Sequence, residues 1–197
     1  MNAALFPFAI FFAAIFTNNI LLTNYLGMCS FLAISKEIKT SVGLGVAVTF
    51  VMACTSLLNW LVYHYILIPL GLDYLRFIVF IIVIAAFVQL VEMVIERVSE
   101  TLYAALGIYL PLITVNCAIL GAVLFMIIRE YSMFTGFMYG LGSGIGWFLA
   151  ILAMSGIRQK LKNARIPRGL EGAGIALVIT GMMALAFIGF TGMIKVS

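Results

Sequence analysis

Leu110-Pro111-Leu112-Ile113-Thr114-Val115-Asn116-Cys117-Ala118-Ile119-Leu120-Gly121 sets a proline, an asparagine and a cysteine inside a run that carries no charge from 101 to 128. A weaker echo, Asn24-Tyr25-Leu26-Gly27-Met28-Cys29-Ser30-Phe31-Leu32, lies in a second uncharged run, 1–34. A straight helix through 28 residues would be about 42 Å long, more than the ~30 Å hydrocarbon layer of a bilayer. Each run also contains helix breakers, Gly27 beside Cys29 in the first and Gly107 and Pro111 in the second. The two runs are therefore predicted to be discontinuous helices that turn near the middle of a membrane.

The rest of the chain supports a membrane class. Of 197 residues, 65% are hydrophobic and 9% charged, and mean hydropathy is +1.24. That is too few charges to cover a soluble core with a polar shell. Six apolar segments, roughly 4–33, 42–67, 73–95, 102–128, 133–157 and 171–194, are separated by short polar stretches. Their length and lack of strand alternation exclude a barrel and predict an all-α membrane protein with six transmembrane helices in one domain, 1–197. The first segment starts without a basic region, so no cleavable signal peptide is expected. No basic stripe with interleaved aromatics is present, which excludes nucleic acid as a partner and leaves the lipid bilayer as the solvent of the chain.

Orientation follows from lysine and arginine. Eight of them (Lys36, Lys39, Arg97, Arg158, Lys160, Lys162, Arg165 and Arg168) fall on one side of the predicted spans, against Arg76, Arg129 and Lys195 on the other. Positive residues favour the cytoplasmic side, which places both termini outside the cytoplasm.

The halves resemble one another. Gly43-Leu44-Gly45 and Gly140-Leu141-Gly142 open the second and fifth segments 97 residues apart, and Cys29 and Cys117 are 88 apart. Three spans per half reverse the topology, so the repeats, about 1–98 and 99–197, are predicted to be inverted. Transport proteins use that arrangement to build sites at the membrane midplane. The Gly-Leu-Gly pairs lack the strand context of a dinucleotide fingerprint and suit close helix packing instead.

Three cysteines is an odd number, and all lie in apolar segments, so a disulfide framework is not expected. A free cysteine in such surroundings is usually a small hydrophobe. Cys54 fits that description, because its counterpart in the other repeat is Ile151. Cys29 and Cys117 occupy the two breaks, and a metal would make thiolates there favourable. An iron–sulfur cluster needs four thiolates or histidine replacements. The only histidine, His64, lies near the outer end of the second segment, so one chain offers half a ligand set. From these residues alone, a small secondary transporter with incidental cysteines and a purely structural subunit remain open. Glu92 and Glu96, one turn apart beside Arg97, read as a solvated helix end or as a cation entrance. Asn18, Asn19, Asn24, Gln89, Thr114 and Asn116 are polar groups able to satisfy freed backbone or lend oxygen to a cation. No hydrolase elbow, zinc-protease motif or phosphate loop is present.

At Leu26-Gly27-Met28-Cys29 and at 110–118 the chain resembles the six-helix subunits shared by the Rnf complex (its A subunit) and the sodium-pumping NADH:quinone oxidoreductase (its E subunit). The resemblance runs end to end, including Ser35-Lys36, Ala105-Leu106-Gly107-Ile108 and Ile179-Thr180-Gly181. The short connection Ile68-Pro69-Leu70-Gly71-Leu72-Asp73 resembles the Rnf branch, whereas Ser30 stands where Rnf relatives often have proline. The resemblance implies a subunit of an ion-translocating oxidoreductase of the bacterial or archaeal inner membrane. It implies that Cys29 and Cys117 hold half of a [2Fe–2S] cluster, with the homologous Rnf E subunit supplying the rest. It further implies the Rnf B, C, D and G subunits as partners, and electron transport coupled to Na⁺ or H⁺. Gly27, Thr114 and Asn116 would then border the cluster, and Glu92 and Asn24 would be candidates for a cation path.

Overall fold

The computed structural model describes residues 6–98, 110–161 and 172–189, and these are helices and turns without a strand. Helices prevail because hydrocarbon offers no partner for backbone N–H and C=O groups, which must bond within their own segment. The helices are α1 (Phe6–Ile15), α2 (Met28–Ile34), α3 (Ile38–Val62), α4 (Arg76–Val98), α5 (Leu110–Thr114), α6 (Cys117–Ile128), α7 (Met133–Leu161) and α8 (Ala173–Ile188). Among the described residues, four stretches are long and apolar enough to cross a membrane: Ile38–Leu70, Asp73–Arg97, Pro111–Ile128 and Met133–Leu161. The apolar helices Phe6–Ile15 and Ala173–Ile188 are shorter. Gly107, the basic residues Lys162, Arg165 and Arg168, and Lys195 lie outside the described residues.

Residues 16–27 form turns between α1 and α2, and Val115-Asn116 separates α5 from α6. Pro111 is not where the second interruption falls. It lies within α5, four residues before the turn at Val115-Asn116. Pro69 is handled differently. The helix continuing α3 widens into a π-turn at Tyr63–Leu67 before reaching Ile68–Leu70, which relieves the clash of the ring with the preceding turn.

The centre of the bundle is the antiparallel pair α3 and α7, with α1 on the opposite side of α7. Glycine makes this approach possible. A Cβ on Gly140 would collide with Ser56 and lie 3.1 Å from Met52 O, and one on Gly144 would lie 2.8 Å from Thr49 Cα. Two residues round the helix, a Cβ on Gly142 would lie 2.7 Å from Phe11 O. On α3, Gly45 accepts the ring of Phe148 in the same way. The Gly-Leu-Gly pairs thus serve helix packing, as their sequence context suggested.

Trp147, Phe31, Phe80, Met52 and Ile119 are fully buried around this centre. Buried hydroxyls return to their own helices: Thr55 Oγ1 donates to Val51 O, Ser56 Oγ to Met52 O and Thr180 Oγ1 to Ala176 O, each at 2.7 Å. Helices α4 and α8 leave apolar faces uncovered, including Phe77, Ile81, Leu90, Val94, Met182 and Leu185. The antiparallel packing gathers Lys36, Lys39, Arg97, Arg158 and Lys160 at one end of the bundle, and Arg76 and Arg129 at the other.

Candidate functional site

The site is built by two peptide turns that meet. The first begins where α1 stops. Asn19, 1% exposed, organises it with four hydrogen bonds. Its Nδ2 donates to Ile15 O at 3.1 Å and across to Gly146 O at 2.8 Å, while its Oδ1 accepts from Leu21 N and Leu22 N. One buried amide therefore satisfies an end carbonyl of α1 and two amides of the following turn. The chain then passes Asn24 and Tyr25, both exposed, and reaches Gly27 at φ +82. That conformation suits glycine, and the space demands it as well. A Cβ would lie 2.7 Å from Trp147 Nε1, 3.0 Å from Ala118 Cβ and 3.1 Å from Asn116 Oδ1.

The second turn is an N-cap. Asn116 adopts an extended conformation, and its Oδ1 accepts from Ala118 N at 3.0 Å, which makes Cys117 the first residue of α6. Across the contact, Gly27 N donates to Cys117 Sγ at 2.9 Å. Gly27 is also the residue preceding α2, so Cys29 is the second residue of that helix. Both cysteines thus stand in the first turn of a helix, where unpaired N–H groups and the helix dipole favour negative charge. Cys117 lies eleven residues before the end of α6, about 16 Å along the helix axis, or roughly half the thickness of a bilayer core.

Both cysteines are exposed, whereas Cys54 is half-buried on α3. Among the described residues no group of three or more histidine, cysteine or carboxylate side chains could hold a metal ion. Two outward-facing thiols on neighbouring helix starts fit half of a four-thiolate centre and cannot complete one. Two buried donors lie beside the contact without a partner: Asn116 Nδ2 and Trp147 Nε1.

The short helix α2 is fastened at its other end by a residue whose part the sequence reading did not foresee. Arg158 Nη1, from α7, donates to Leu32 O at 3.0 Å and to Ser35 Oγ at 2.7 Å. Ser41 Oγ donates to Ile34 O at 3.3 Å. These bonds occupy C-terminal carbonyls of α2 and place a cation at its negative end. Helix α7 therefore touches both ends of the cysteine-bearing segment, through Trp147 beneath Gly27 and through Arg158.

Of the residues singled out from the sequence, Gly27, Asn116 and Cys117 are in direct contact, and Cys29 follows within one helical turn. Thr114 ends α5, half-buried. Asn24 in its turn and Glu92 on α4 form no side-chain hydrogen bond with a described residue. Glu96 is exposed near the end of α4.

Comparison with known proteins gives a concordant set of likenesses. A family described as "Rnf-Nqr subunit, membrane protein" matches residues 7–194. The chain is 52% identical over 184 residues to the A subunit of the Na(+)-translocating ferredoxin:NAD(+) oxidoreductase complex of Acetobacterium woodii, covering 93% of this chain and 96% of the relative. It is 50% identical over 194 residues to the E subunit of the Na(+)-translocating NADH-quinone reductase of Psychromonas ingrahamii. The corresponding protein of Serratia proteamaculans is 52% identical over 190 residues, and both cover 93% of this chain and 96% of the relative.

Proposed function

The chain belongs to the Rnf-Nqr family of membrane subunits, and from that premise we propose that it is the A subunit of an Rnf-type ion-translocating ferredoxin:NAD⁺ oxidoreductase. In this reading Cys29 and Cys117 supply two thiolates to a [2Fe–2S] cluster whose other two ligands come from the homologous Rnf E subunit. The observation that carries it is the contact of two helix starts, each bearing an outward-facing cysteine, through Gly27 N–H and Cys117 Sγ. The cluster would supply one-electron storage midway between cytoplasmic ferredoxin centres and flavin-bearing subunits on the outer side.

What the chain itself contributes is electrostatic and positional. The first-turn amides of α2 and α6, and the Gly27 N–H on Cys117 Sγ, offset negative charge on sulfur in a medium that otherwise penalises it. Asn19 and Asn116 hold the two turns, and Arg158 and Trp147 hold α2 to α7. In the proposed architecture six spans form two inverted repeats, about 1–98 and 99–197, with the first and fourth interrupted beside the cysteines. Each cysteine then belongs to a different half. Relative movement of the halves changes the surroundings of both sulfurs, which provides a route from electron transfer to Na⁺ or H⁺ movement. The end bearing Lys36, Lys39, Arg97, Arg158 and Lys160 faces the cytoplasm by the positive-inside rule, and both termini lie outside.

The E subunit of the Na⁺-translocating NADH:quinone reductase is the second reading, favoured by Ser30 and by relatives of equal identity. The short 68–73 connection favours the first. Turnover of the assembled complex with ferredoxin and NAD⁺, compared with NADH and quinone, separates them. For the metal site, electron paramagnetic resonance of the reduced complex carrying Cys29→Ala or Cys117→Ala is the test. Each variant should lose one [2Fe–2S] signal, and retention of every signal in both would refute the assignment.

A further inference from the structure

A cavity lies at the opposite end of the bundle from Lys36 and Arg158. It is a cleft of about 620 Å³ between the α3–α4 and α6–α7 connections, lined by Trp60, Tyr63, His64, Arg76, Glu130 and Tyr131. Isoleucines 68, 127 and 128 and Ser132 complete its wall. Three apolar spans end here, Ile38–Leu70 and Pro111–Ile128 at their last residues and Asp73–Arg97 at its first. The cleft therefore sits where hydrocarbon gives way to headgroups, the depth at which tryptophan and tyrosine are enriched.

We infer that this cleft binds the headgroup of a zwitterionic phospholipid with a primary ammonium, a phosphoethanolamine lipid. The walls are firm: Trp60 Nε1 donates to Tyr131 O at 3.0 Å, and the His64 ring stacks on Trp60 at 5.0 Å and 10°. The cleft carries one cation and one anion, Arg76 and Glu130, and neither forms an ion pair with another described residue. That combination suits a ligand bearing both signs. The guanidinium matches a phosphate diester, the carboxylate accepts N–H bonds from an ammonium, and the aromatic faces of Trp60, Tyr63 and Tyr131 attract the same cation.

The backbone at Glu130 supports a role for its side chain. Helix α6 ends in a Schellman turn, with Tyr131 N bonded to Met126 O and Glu130 N to Ile127 O. Glu130 occupies the left-handed position of that turn at φ +51, where glycine is the easier residue. A side chain kept in a costly conformation at the mouth of a cleft points to a function for that side chain. A purely anionic headgroup would meet the Glu130 carboxylate, and a trimethylammonium headgroup has no N–H to give it.

The test is native mass spectrometry of the full chain, purified and exchanged into micelles holding equal phosphatidylethanolamine, phosphatidylglycerol and phosphatidylcholine. The wild type should retain one phosphatidylethanolamine at least tenfold over the other two. Glu130→Gln should abolish the preference over phosphatidylcholine, and Arg76→Gln should lower retention of all three about tenfold. Arg76→Lys should keep it, which guards against a folding defect in Arg76→Gln. Equal retention of the three lipids by the wild type, or unchanged retention in both charge-removing variants, overturns the proposal in favour of non-specific surrounding lipid. Displacement of the bound lipid by millimolar inorganic phosphate overturns it in favour of a free-anion site.

Discussion

Gly27→Ala is the substitution to which the cysteine contact is most sensitive, because two independent costs meet at one atom. At φ +82 the backbone is left-handed, which costs a residue with a Cβ about 1–2 kcal/mol. The new methyl would also lie 2.7 Å from Trp147 Nε1 and 3.0 Å from Ala118 Cβ. Neither neighbour can yield readily: Trp147 is fully buried and Ala118 is in the first turn of α6. Overpacking of this kind adds about 1–3 kcal/mol, for a total of about 2–5 kcal/mol.

Gly71→Ala is the matched control. Gly71 has φ +66 and nothing within 4 Å of its Cβ position, so only the backbone cost of about 1–2 kcal/mol applies. Unfolding of the two variants in mixed micelles, followed by tryptophan fluorescence, should separate them by the packing difference of about 1–3 kcal/mol. Gly27→Ala should also slow alkylation of Cys117 in the isolated chain, since the reacting thiolate loses the Gly27 N–H that offsets its charge. Equal destabilisation by both variants, together with an unchanged alkylation rate, would show that Gly27 does not press on the α6 N-terminus as described.

Asn19→Ala removes four hydrogen bonds at a buried turn and should cost about 2–4 kcal/mol, measured by the same unfolding assay; a loss below about 1 kcal/mol would mean that water replaces the amide. Arg158→Gln should accelerate hydrogen exchange across 28–34 and lower stability by about 1–3 kcal/mol, with partial recovery in Arg158→Lys. A protection pattern like that of the wild type would release α2 from dependence on α7. Gly140→Leu should disrupt the α3–α7 contact at Ser56 by about 1–3 kcal/mol. Gly156→Ala, on the same helix with nothing within 4 Å, should instead be neutral or gain about 0.5–1 kcal/mol from helix propensity.

The all-helical class was legible because its cause is compositional: uncharged runs as long as 101–128 have only one way to satisfy their backbone in lipid. The glycine pairs were equally readable, since small residues at helical spacing serve helix contact, and Gly45, Gly140 and Gly142 do so. The described interruption in this run lies at Val115-Asn116, beside Cys117. Pro111 is a helix breaker by type, yet it lies within α5, and the turn is marked by Asn116, whose side chain caps α6 ahead of Cys117-Ala118. Arg158 and Trp147 were not readable as part of the site. Their partners are more than 100 residues away in the chain, Ser35 and Leu32 for one and Gly27 for the other. Such contacts leave no periodicity in the sequence. Arg158 registered only as one positive charge among several near the membrane surface.

The most direct measurement of the central claim is iron and acid-labile sulfide per assembled complex in three single variants. Cys29→Ala and Cys117→Ala should each lower both counts by about two relative to wild type, the content of one [2Fe–2S] cluster shared with a partner protein, while Cys54→Ala leaves both unchanged. Full iron and sulfide in either of the first two variants, with subunit composition intact, would contradict the account.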